Sequence, residues 1–282
     1  MAIVFALATA LCNAVAVVLQ RSATETAATR SGFSLKLIVQ LVRKPIWLFG
    51  LAVTIGATVF WVLALNSGDL SLVQPIMVIE LAFIIAILWA FSRSPVGLGD
   101  WVGTATIVVG LGTFLYVANP ESGNSSPGPA AWAFAASLGL IVVVTSVILA
   151  QSGSPTRNAA LYGIATAVTY AFTAALIKTV TAHIHPGWST LFTHWPLYVA
   201  ALVGATGFIM EQHAFQAGPL TASQPALIIG TPIASIIIGI WLFDERLSAN
   251  AGDVLVETVA FLAMAFGVLR LTQSSLIIES RS

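Results

Sequence analysis

Three carboxylic acids lie inside long apolar stretches of this 282-residue chain: Glu80, Glu211 and Glu257. A charged side chain in membrane hydrocarbon costs roughly 2.5–3.5 kcal/mol on insertion scales, so such a residue is normally functional. Glu80 stands near the centre of the apolar run 73–89, with no basic residue close to it in sequence. A carboxyl group at that depth can exchange a proton or bind a cation. The alternative is a protonated carboxyl group that hydrogen-bonds a neighbouring helix.

Glu211 belongs to the most polar cluster within any apolar stretch. Helical spacing puts it on one face with small residues, which allow a second helix to approach closely. We expect Glu211 to contact a substrate or a cation, or to belong to a structural network near the cytoplasmic end of its helix. The small residues of this face are Gly204, Gly207 and Ala214, and the polar neighbours are Gln212, His213 and Gln216.

Glu257 differs from the other two because it is close to the outer end of the last apolar stretch and follows Asp253. We expect it to reach water or the membrane interface, since side chains near helix ends can extend to the interface.

Uncharged polar residues form stripes at helical spacing on three further stretches. Each stripe could line a cavity, or could supply interhelical hydrogen bonds worth about 0.6 kcal/mol each. The stripes are Thr9, Asn13, Ala16 and Gln20; Thr166, Thr169, Tyr170 and Thr173; and Gln224, Ile228, Thr231 and Ser235.

Two Gln-Pro pairs, Gln74-Pro75 and Gln224-Pro225, begin matched apolar stretches. Proline removes a backbone donor, and a nearby amide side chain can replace it. Pro232 lies mid-stretch, and we expect it to break or kink its helix. Interrupted helices at matched places are typical of transporter binding sites.

The elements that carry these residues must be membrane helices. Charged residues make up 8% of the chain and apolar residues 58%, and the mean hydropathy is +0.95. A soluble domain could not cover its surface with so few charges, and disorder is excluded for the same reason. The net charge of zero predicts no nucleic-acid partner, and the single Cys12 excludes a disulfide framework or cysteine metal cluster.

Nine apolar stretches are long enough to cross a bilayer as helices. Two shorter segments, 31–42 and 185–195, are interpreted as interfacial or re-entrant helices, and ten crossings remain an alternative. The sequence therefore predicts an all-α integral membrane protein. The nine stretches are 2–20, 46–66, 70–92, 98–118, 129–150, 157–180, 195–216, 221–243 and 252–272.

The basic residues predict the orientation. With nine spans, nine Lys and Arg residues fall on one side and only Lys178 and Arg246 on the other. Because cytoplasmic loops carry an excess of basic residues, the N-terminus is predicted outside the plasma membrane and the C-terminus in the cytoplasm. The nine are Arg21, Arg30, Lys36, Arg43, Lys44, Arg93, Arg157, Arg270 and Arg281.

An internal repeat organises the chain. Residues 63–75 (LALNSGDLSLVQP) align without a gap on 213–225 (HAFQAGPLTASQP), and residues 8–10 align on 165–167. We therefore predict a first repeat at 1–128, a joining span at 129–150 and a second repeat at 151–282. An odd number of crossings separates the repeats, so they should be inverted in the membrane, as in many secondary transporters.

These motifs resemble the drug/metabolite transporter superfamily. The pattern Ala-x-x-x-Gly-x-Leu-x-x-x-Gln-Pro, followed by a span and then Glu245-Arg246-Leu247-Ser248, is similar to EamA-type members. The first half departs from it, with Ser92-Arg93-Ser94-Pro95 in place of the acidic motif. The nine-span count with an outside N-terminus is more similar to the NIPA-like magnesium transporter branch.

The sequence thus predicts a secondary transporter that moves a small metabolite or ion by alternating access, with proton coupling as an option. Magnesium or another divalent cation is one alternative, and a non-transporting membrane subunit or lipid-handling protein is another. Enzyme motifs, cofactors and a resident metal site are not expected, and monomer and homodimer both remain open. The predicted substrate-binding residues are Asn13, Gln74, Glu80, Tyr170, Glu211, His213 and Gln224.

Overall fold

The structure is a computed structural model, and it describes residues 1–25, 44–92, 96–118, 123, 127–182, 194–245 and 250–274. Within these ranges the chain is helical and contains no β-strand. The helices are α1 (Ala2–Glu25), α2 (Pro45–Ser67), α3 (Leu70–Met77), α4 (Glu80–Ser92), α5 (Leu98–Val117), α6 (Pro129–Leu149), α7 (Pro155–Ala182), α8 (Trp195–Ala217), α9 (Leu220–Phe243) and α10 (Ala251–Leu271).

Eight helical segments of the described chain are long and apolar enough to cross a membrane. In this set, α3 and α4 act together as the single span Leu70–Ala90. Helix α8 has 23 residues but is not among the eight, because its last two turns carry the polar cluster around Glu211. The all-helical multi-pass prediction is confirmed. The total of nine or ten crossings stays a prediction, since segment 31–42 and nearly all of 185–195 lie outside the described residues.

Contacts between helix ends define the two ends of the bundle. At one end, which we call the Lys178 end, Ala2 lies against Gly68, and Lys178 contacts Asp69 and Glu245. Helices α7 and α10 extend away from this end over 28 and 21 residues. At a rise of about 1.5 Å per residue, both are long enough to cross a bilayer. The opposite end, which we call the Arg270 end, is where Arg270 packs beside Gly103, and Pro155 beside Gly218.

These contacts show which way neighbouring helices run. Helix α1 begins at the Lys178 end, whereas α2 finishes there at Gly68, so α1 and α2 are antiparallel. Helices α7 and α8 are likewise antiparallel, because Gly218 after α8 lies against Pro155 at the start of α7. The described basic residues Arg157 and Arg270 lie at the end opposite to Lys178, as the charge distribution predicts. Which end faces the cytoplasm stays a prediction.

The most extensive helix contacts join α1 to α2, α7 to α8, α7 to α9, and α5 to α10. Small residues permit these close approaches, as is common where lipid supplies no hydrophobic driving force. A Cβ on Gly267 of α10 would lie 2.6 Å from the backbone oxygen of Gly103 on α5.

Large apolar side chains such as Phe134, Leu140 and Ile141 of α6 are exposed on the outside of the bundle. Such an apolar exterior is what contact with lipid requires.

The interruption of a helix occurs at a different place from the one predicted. Helix α9 continues from Leu220 to Phe243 through Pro232. The break lies instead at Val78 and Ile79, between α3 and α4. There the backbone N–H groups of Val78 and Ile79 donate to carbonyls only three residues back, at 3.2 and 3.1 Å. The structure therefore contradicts a break at Pro232, whereas a kink there stays a prediction. Pro75, three residues before Val78, has no backbone N–H, so the Ser71 carbonyl lacks its usual helical partner from position 75.

Candidate functional site

A cavity of about 550 Å³ lies between α1, α2, the α3–α4 pair, α7, α8 and α9. The lining residues of α1, α7 and α9 come from the middle turns of their helices, and those of α3 and α4 flank the interruption within their span, so the cavity lies at membrane depth. The lining combines two carboxylates, two amides, hydroxyl groups, aromatic rings and aliphatic side chains. The lining residues are Thr9, Asn13, Ala57, Thr58, Trp61, Gln74, Met77, Val78, Glu80, Tyr170, Thr173, Glu211, Leu227, Ile228, Thr231 and Pro232.

Five of the seven predicted substrate-binding residues line this single cavity: Asn13, Gln74, Glu80, Tyr170 and Glu211. They come from five different helical segments and are spread over nearly 200 residues of sequence. Whether they bind a substrate stays a prediction, but the structure brings them together.

Glu80 lies in the first turn of α4, immediately after the interruption at Val78 and Ile79. The Asn13 side-chain amide on α1 donates a hydrogen bond to the Glu80 carboxylate at 3.2 Å. Glu80 lines the cavity directly beside the interruption.

Glu211 is held from the opposite side of the cavity by Tyr170 of α7. The Tyr170 hydroxyl donates to the Glu211 carboxylate at 2.7 Å. Gly207, one turn before Glu211, makes this possible, because a Cβ there would lie 2.7 Å from the Tyr170 ring. Gly204 faces Thr173 on the same side, where an added Cβ would lie 3.4 Å from the threonine methyl carbon. The predicted face of small residues on α8 is therefore the face that packs against α7.

Gln74 and the threonines complete the polar part of the wall. The Gln74 residue is 5% exposed and lines the cavity from α3. The hydroxyl groups of Thr9, Thr173 and Thr231 each donate to a carbonyl one turn back in their own helix, at 2.8, 2.9 and 2.8 Å. Their oxygen lone pairs therefore remain available towards the cavity.

The other two predicted residues lie elsewhere. The His213 ring stacks on the Tyr162 ring, with centroids 5.6 Å apart, and the residue is exposed. Gln224 is 5% exposed, and its Nε2 has no hydrogen-bond partner among the described residues. Neither residue lines the cavity. His213 follows Glu211 by two positions, and on a helix this spacing turns the side chain to another face.

Glu257 does not reach the end of its helix as expected. It is 4% exposed and lines a second, mostly apolar groove of about 250 Å³ together with Phe114, Ile233 and Phe261. The expectation of water contact was wrong because α10 packs along α5, which covers this face of the helix.

A charge cluster at the Lys178 end was missed in the sequence. Lys178 Nζ contacts Glu245 Oε1 at 2.6 Å and Asp69 Oδ1 at 3.1 Å. The two Glu245 oxygens also accept hydrogen bonds from the backbone N–H groups of Leu70 and Ser71, at 2.8 and 2.9 Å. These N–H groups lie in the first turn of α3 and have no partner within that helix, so Glu245 caps it. Phe243 lies beneath the ammonium group, 5.1 Å from ring centroid to Nζ.

Asp244 determines where Glu245 points. Its backbone is left-handed, with φ 52° and ψ 30°, a conformation that Asp tolerates better than most residues. This residue ends α9 and turns the chain back, so that the Glu245 N–H donates to the Gly239 carbonyl at 3.0 Å. The Glu245 side chain then lies over Gly239 and reaches α3.

Trp61 and Thr58 of α2 are further lining residues that the sequence did not indicate. At the repeat offset of 150, Trp61 corresponds to Glu211. An alignment extended by two residues before position 63 would therefore have indicated Trp61. For Glu245 the signal was present in the Glu-Arg-Leu-Ser motif, but its partners are 67 to 175 residues away.

The described residues contain no group of three or more His, Cys, Asp or Glu side chains that could hold a metal ion. The cavity does offer carboxylate, amide and hydroxyl oxygens on separate helices. This arrangement suits a ligand that fills the space between helices better than a bare ion held by a compact set of ligands.

Comparison with known proteins gives two distant relatives. The chain is 27% identical over 277 residues to an uncharacterized protein of Corynebacterium glutamicum, covering 98% of this chain and 96% of that protein. It is 21% identical over 253 residues to the probable magnesium transporter NIPA9 of Arabidopsis thaliana, covering 84% and 71%. Together with the apolar helices, this similarity supports a multi-pass membrane transporter. No protein-family model and no solved structure matches the chain.

Proposed function

We propose that the protein is a secondary transporter of the drug/metabolite transporter type, which moves a small solute through the cavity by alternating access. The observation that carries this proposal is the cavity itself, which lies at membrane depth and is lined by both Glu80 and Glu211. Buried carboxylates are costly in a membrane and are retained where they bind a proton, an ion or a substrate. The cavity is within the usual size range of small-molecule sites.

The inverted repeat is part of this proposal. At the offset that aligns 8–10 on 165–167, Asn13 corresponds to Tyr170. Both residues line the cavity, and each donates a hydrogen bond to a cavity carboxylate. Equivalent donors from the two halves are expected for a site near the midplane between inverted repeats.

Alternating access also requires an end that closes. We assign this role to the Lys178 end, where Lys178 of α7 and Glu245 after α9 bind Asp69 and the start of α3. The contacts join the two predicted repeats. In the proposed cycle they break when the cavity opens to the Lys178 end and form again when it closes.

Magnesium transport is a second candidate, favoured by the similarity to NIPA9. Mg²⁺ usually keeps several water molecules and binds through one or two carboxylates, so a hydrated ion would not need a compact set of protein ligands. The broad aliphatic part of the cavity wall, from Met77 and Val78 to Leu227 and Ile228, favours an organic solute instead.

Accessibility of the cavity to water tests the proposal without knowledge of the substrate. Cys12 is the only cysteine, so Cys12→Ser gives a background free of thiols. On this background we expect Thr173→Cys and Gln74→Cys to react with a membrane-impermeant maleimide added to either side of sealed vesicles. Because access alternates, the rates should differ between sides.

Ile141→Cys is the matched control, since this α6 side chain is exposed on the apolar outside of the bundle and should not react. Absence of labelling at both cavity positions from both sides would contradict the proposal and favour a non-transporting membrane subunit.

A further inference from the structure

We infer that the cavity binds an organic cation, in which an ammonium or guanidinium group meets the carboxylates and the hydrocarbon part lies against the aromatic and aliphatic wall. This inference rests on the proposed function in treating the cavity as the ligand site, and it names the class of substrate.

The charge of the wall is the first step. Glu80 and Glu211 line the cavity, and none of the described residues around it is Lys, Arg or His. The polar contact that the structure gives Glu211 is with the neutral Tyr170 hydroxyl. A ligand with a negative charge would therefore meet Glu211 with no basic side chain among the described lining residues, whereas a positive charge would be stabilised by this carboxylate. The interaction is stronger there than in bulk water, because the surrounding protein has a lower dielectric constant.

The direction of the hydrogen bonds is the second step. Each of the five hydroxyl groups that line the cavity donates its proton to a protein acceptor, which leaves oxygen lone pairs for a ligand. The remaining side-chain donors in the wall are the neutral N–H groups of Asn13, Gln74 and Trp61. A ligand rich in donors fits this wall better than one rich in acceptors. The five hydroxyl groups belong to Thr9, Thr58, Tyr170, Thr173 and Thr231.

The aromatic and aliphatic lining is the third step. Trp61 and Tyr170 present rings to the cavity from α2 and α7, and aromatic faces attract organic cations, with Trp the most effective. The aliphatic residues Met77, Val78, Leu227 and Ile228 can bury hydrocarbon groups. A metal ion would leave these side chains without a role, whereas an alkylammonium group contacts both kinds of surface.

Binding to the purified full chain in lipid nanodiscs tests the inference, with isothermal titration calorimetry as the measurement. The probes are choline, tetraethylammonium and MgCl₂. The matched neutral probe is 3,3-dimethylbutan-1-ol, which has the shape of choline with carbon in place of the charged nitrogen. We expect both organic cations to bind and the neutral alcohol to bind at least about 30-fold more weakly, because the charge is what the carboxylates recognise.

Variants show where the cations bind. We expect Glu211→Gln to weaken choline binding by at least about 30-fold, and Trp61→Leu by about 2- to 30-fold. The control is Glu257→Gln, which removes a buried carboxylate outside the cavity and should leave the affinity unchanged. Choline should also protect Thr173→Cys from the maleimide, which places the bound cation in the cavity.

Equal binding of choline and its neutral analogue would overturn the inference. Binding of MgCl₂ without binding of choline or tetraethylammonium would also overturn it. Unchanged affinity in Glu211→Gln, with the variant folded, would also overturn it. These results are distinguishable from failure of the proposed function. Labelled cavity cysteines without cation binding leave the transporter proposal standing and remove the substrate class. Cation binding without movement of choline across proteoliposome membranes leaves the ligand class standing and removes the transporter proposal.

Discussion

The cavity and the Lys178 end both contain carboxylates within the helix bundle, but they use them in opposite ways. At the Lys178 end, one Glu245 oxygen accepts hydrogen bonds from the Lys178 ammonium group and the Leu70 N–H, and the other accepts one from the Ser71 N–H. Both oxygens therefore have partners within the protein. In the cavity, Glu211 accepts one hydrogen bond, from the neutral Tyr170 hydroxyl. A carboxylate paired with a cation and two amides stabilises the fold, whereas one with a neutral partner keeps capacity for a ligand. The difference distinguishes an acid whose contacts hold helices together from an acid that we propose binds a ligand.

The largest effect should come from removing the cation of the Lys178 end. We expect Lys178→Met to lower the free energy of unfolding by about 3–5 kcal/mol, because it leaves Asp69 and Glu245 buried without their counter-ion. Reversible unfolding in mixed micelles measures this change. Arg157→Met is the control, since Arg157 is exposed and its side chain bonds the Ser152 carbonyl. If the two variants were equally stable, the cluster would have no structural role.

An intermediate effect is expected at the contact that positions the cavity acid. Gly207→Ala places a methyl group 2.7 Å from the Tyr170 ring, so the ring must move and its hydrogen bond to Glu211 is strained. We expect a loss of about 1–3 kcal/mol in the same unfolding assay.

The neighbouring Gly204→Ala is the matched control for that variant. Its methyl group would approach Thr173 at 3.4 Å, which requires only a small adjustment. Equal losses for the two alanine variants would show that Tyr170 does not depend on Gly207 for its position.

The smallest change in stability should come from the cavity acid itself. We expect Glu211→Gln to change the free energy of unfolding by less than about 1 kcal/mol, because the glutamine carbonyl can still accept the Tyr170 hydrogen bond. The same variant should lose cation binding, so stability and binding separate at this residue. A loss as large as that of Lys178→Met would remove the distinction between the two regions.

The sequence predicted the acids better than their surroundings. Glu80 and Glu211 were identified because charge at membrane depth is rare, and Asn13 and Tyr170 because polar residues repeat at helical spacing. Both signals are local. His213 was included because it is close to Glu211 in sequence, but the packing of α8 on α7 turns it outwards. Only the assembled bundle shows which face of a helix points inwards.

The contacts at the Lys178 end lay beyond prediction for a related reason. Lys178 entered the prediction only as a charge on one side of the membrane, since nothing local links it to Asp69, 109 positions away. The helix break at Val78 was also missed, because proline patterns favoured Pro232. Pro225 and Pro232 both fit within continuous α9, so proline alone does not decide where a membrane helix breaks.

The cap that Glu245 places on α3 has a mechanical consequence. Helix α3 packs on α9, and its Leu70 and Ser71 N–H groups donate to the side chain of Glu245, just after the end of α9. The break at Val78 and Ile79 separates α3 from α4. A tilt of α9 with these bonds intact would pull α3 along and leave α4 in place. While the Lys178 end is closed, the moving units are then not the two predicted repeats: one short helix of the first travels with the second until these bonds break, and the hinge lies beside Glu80.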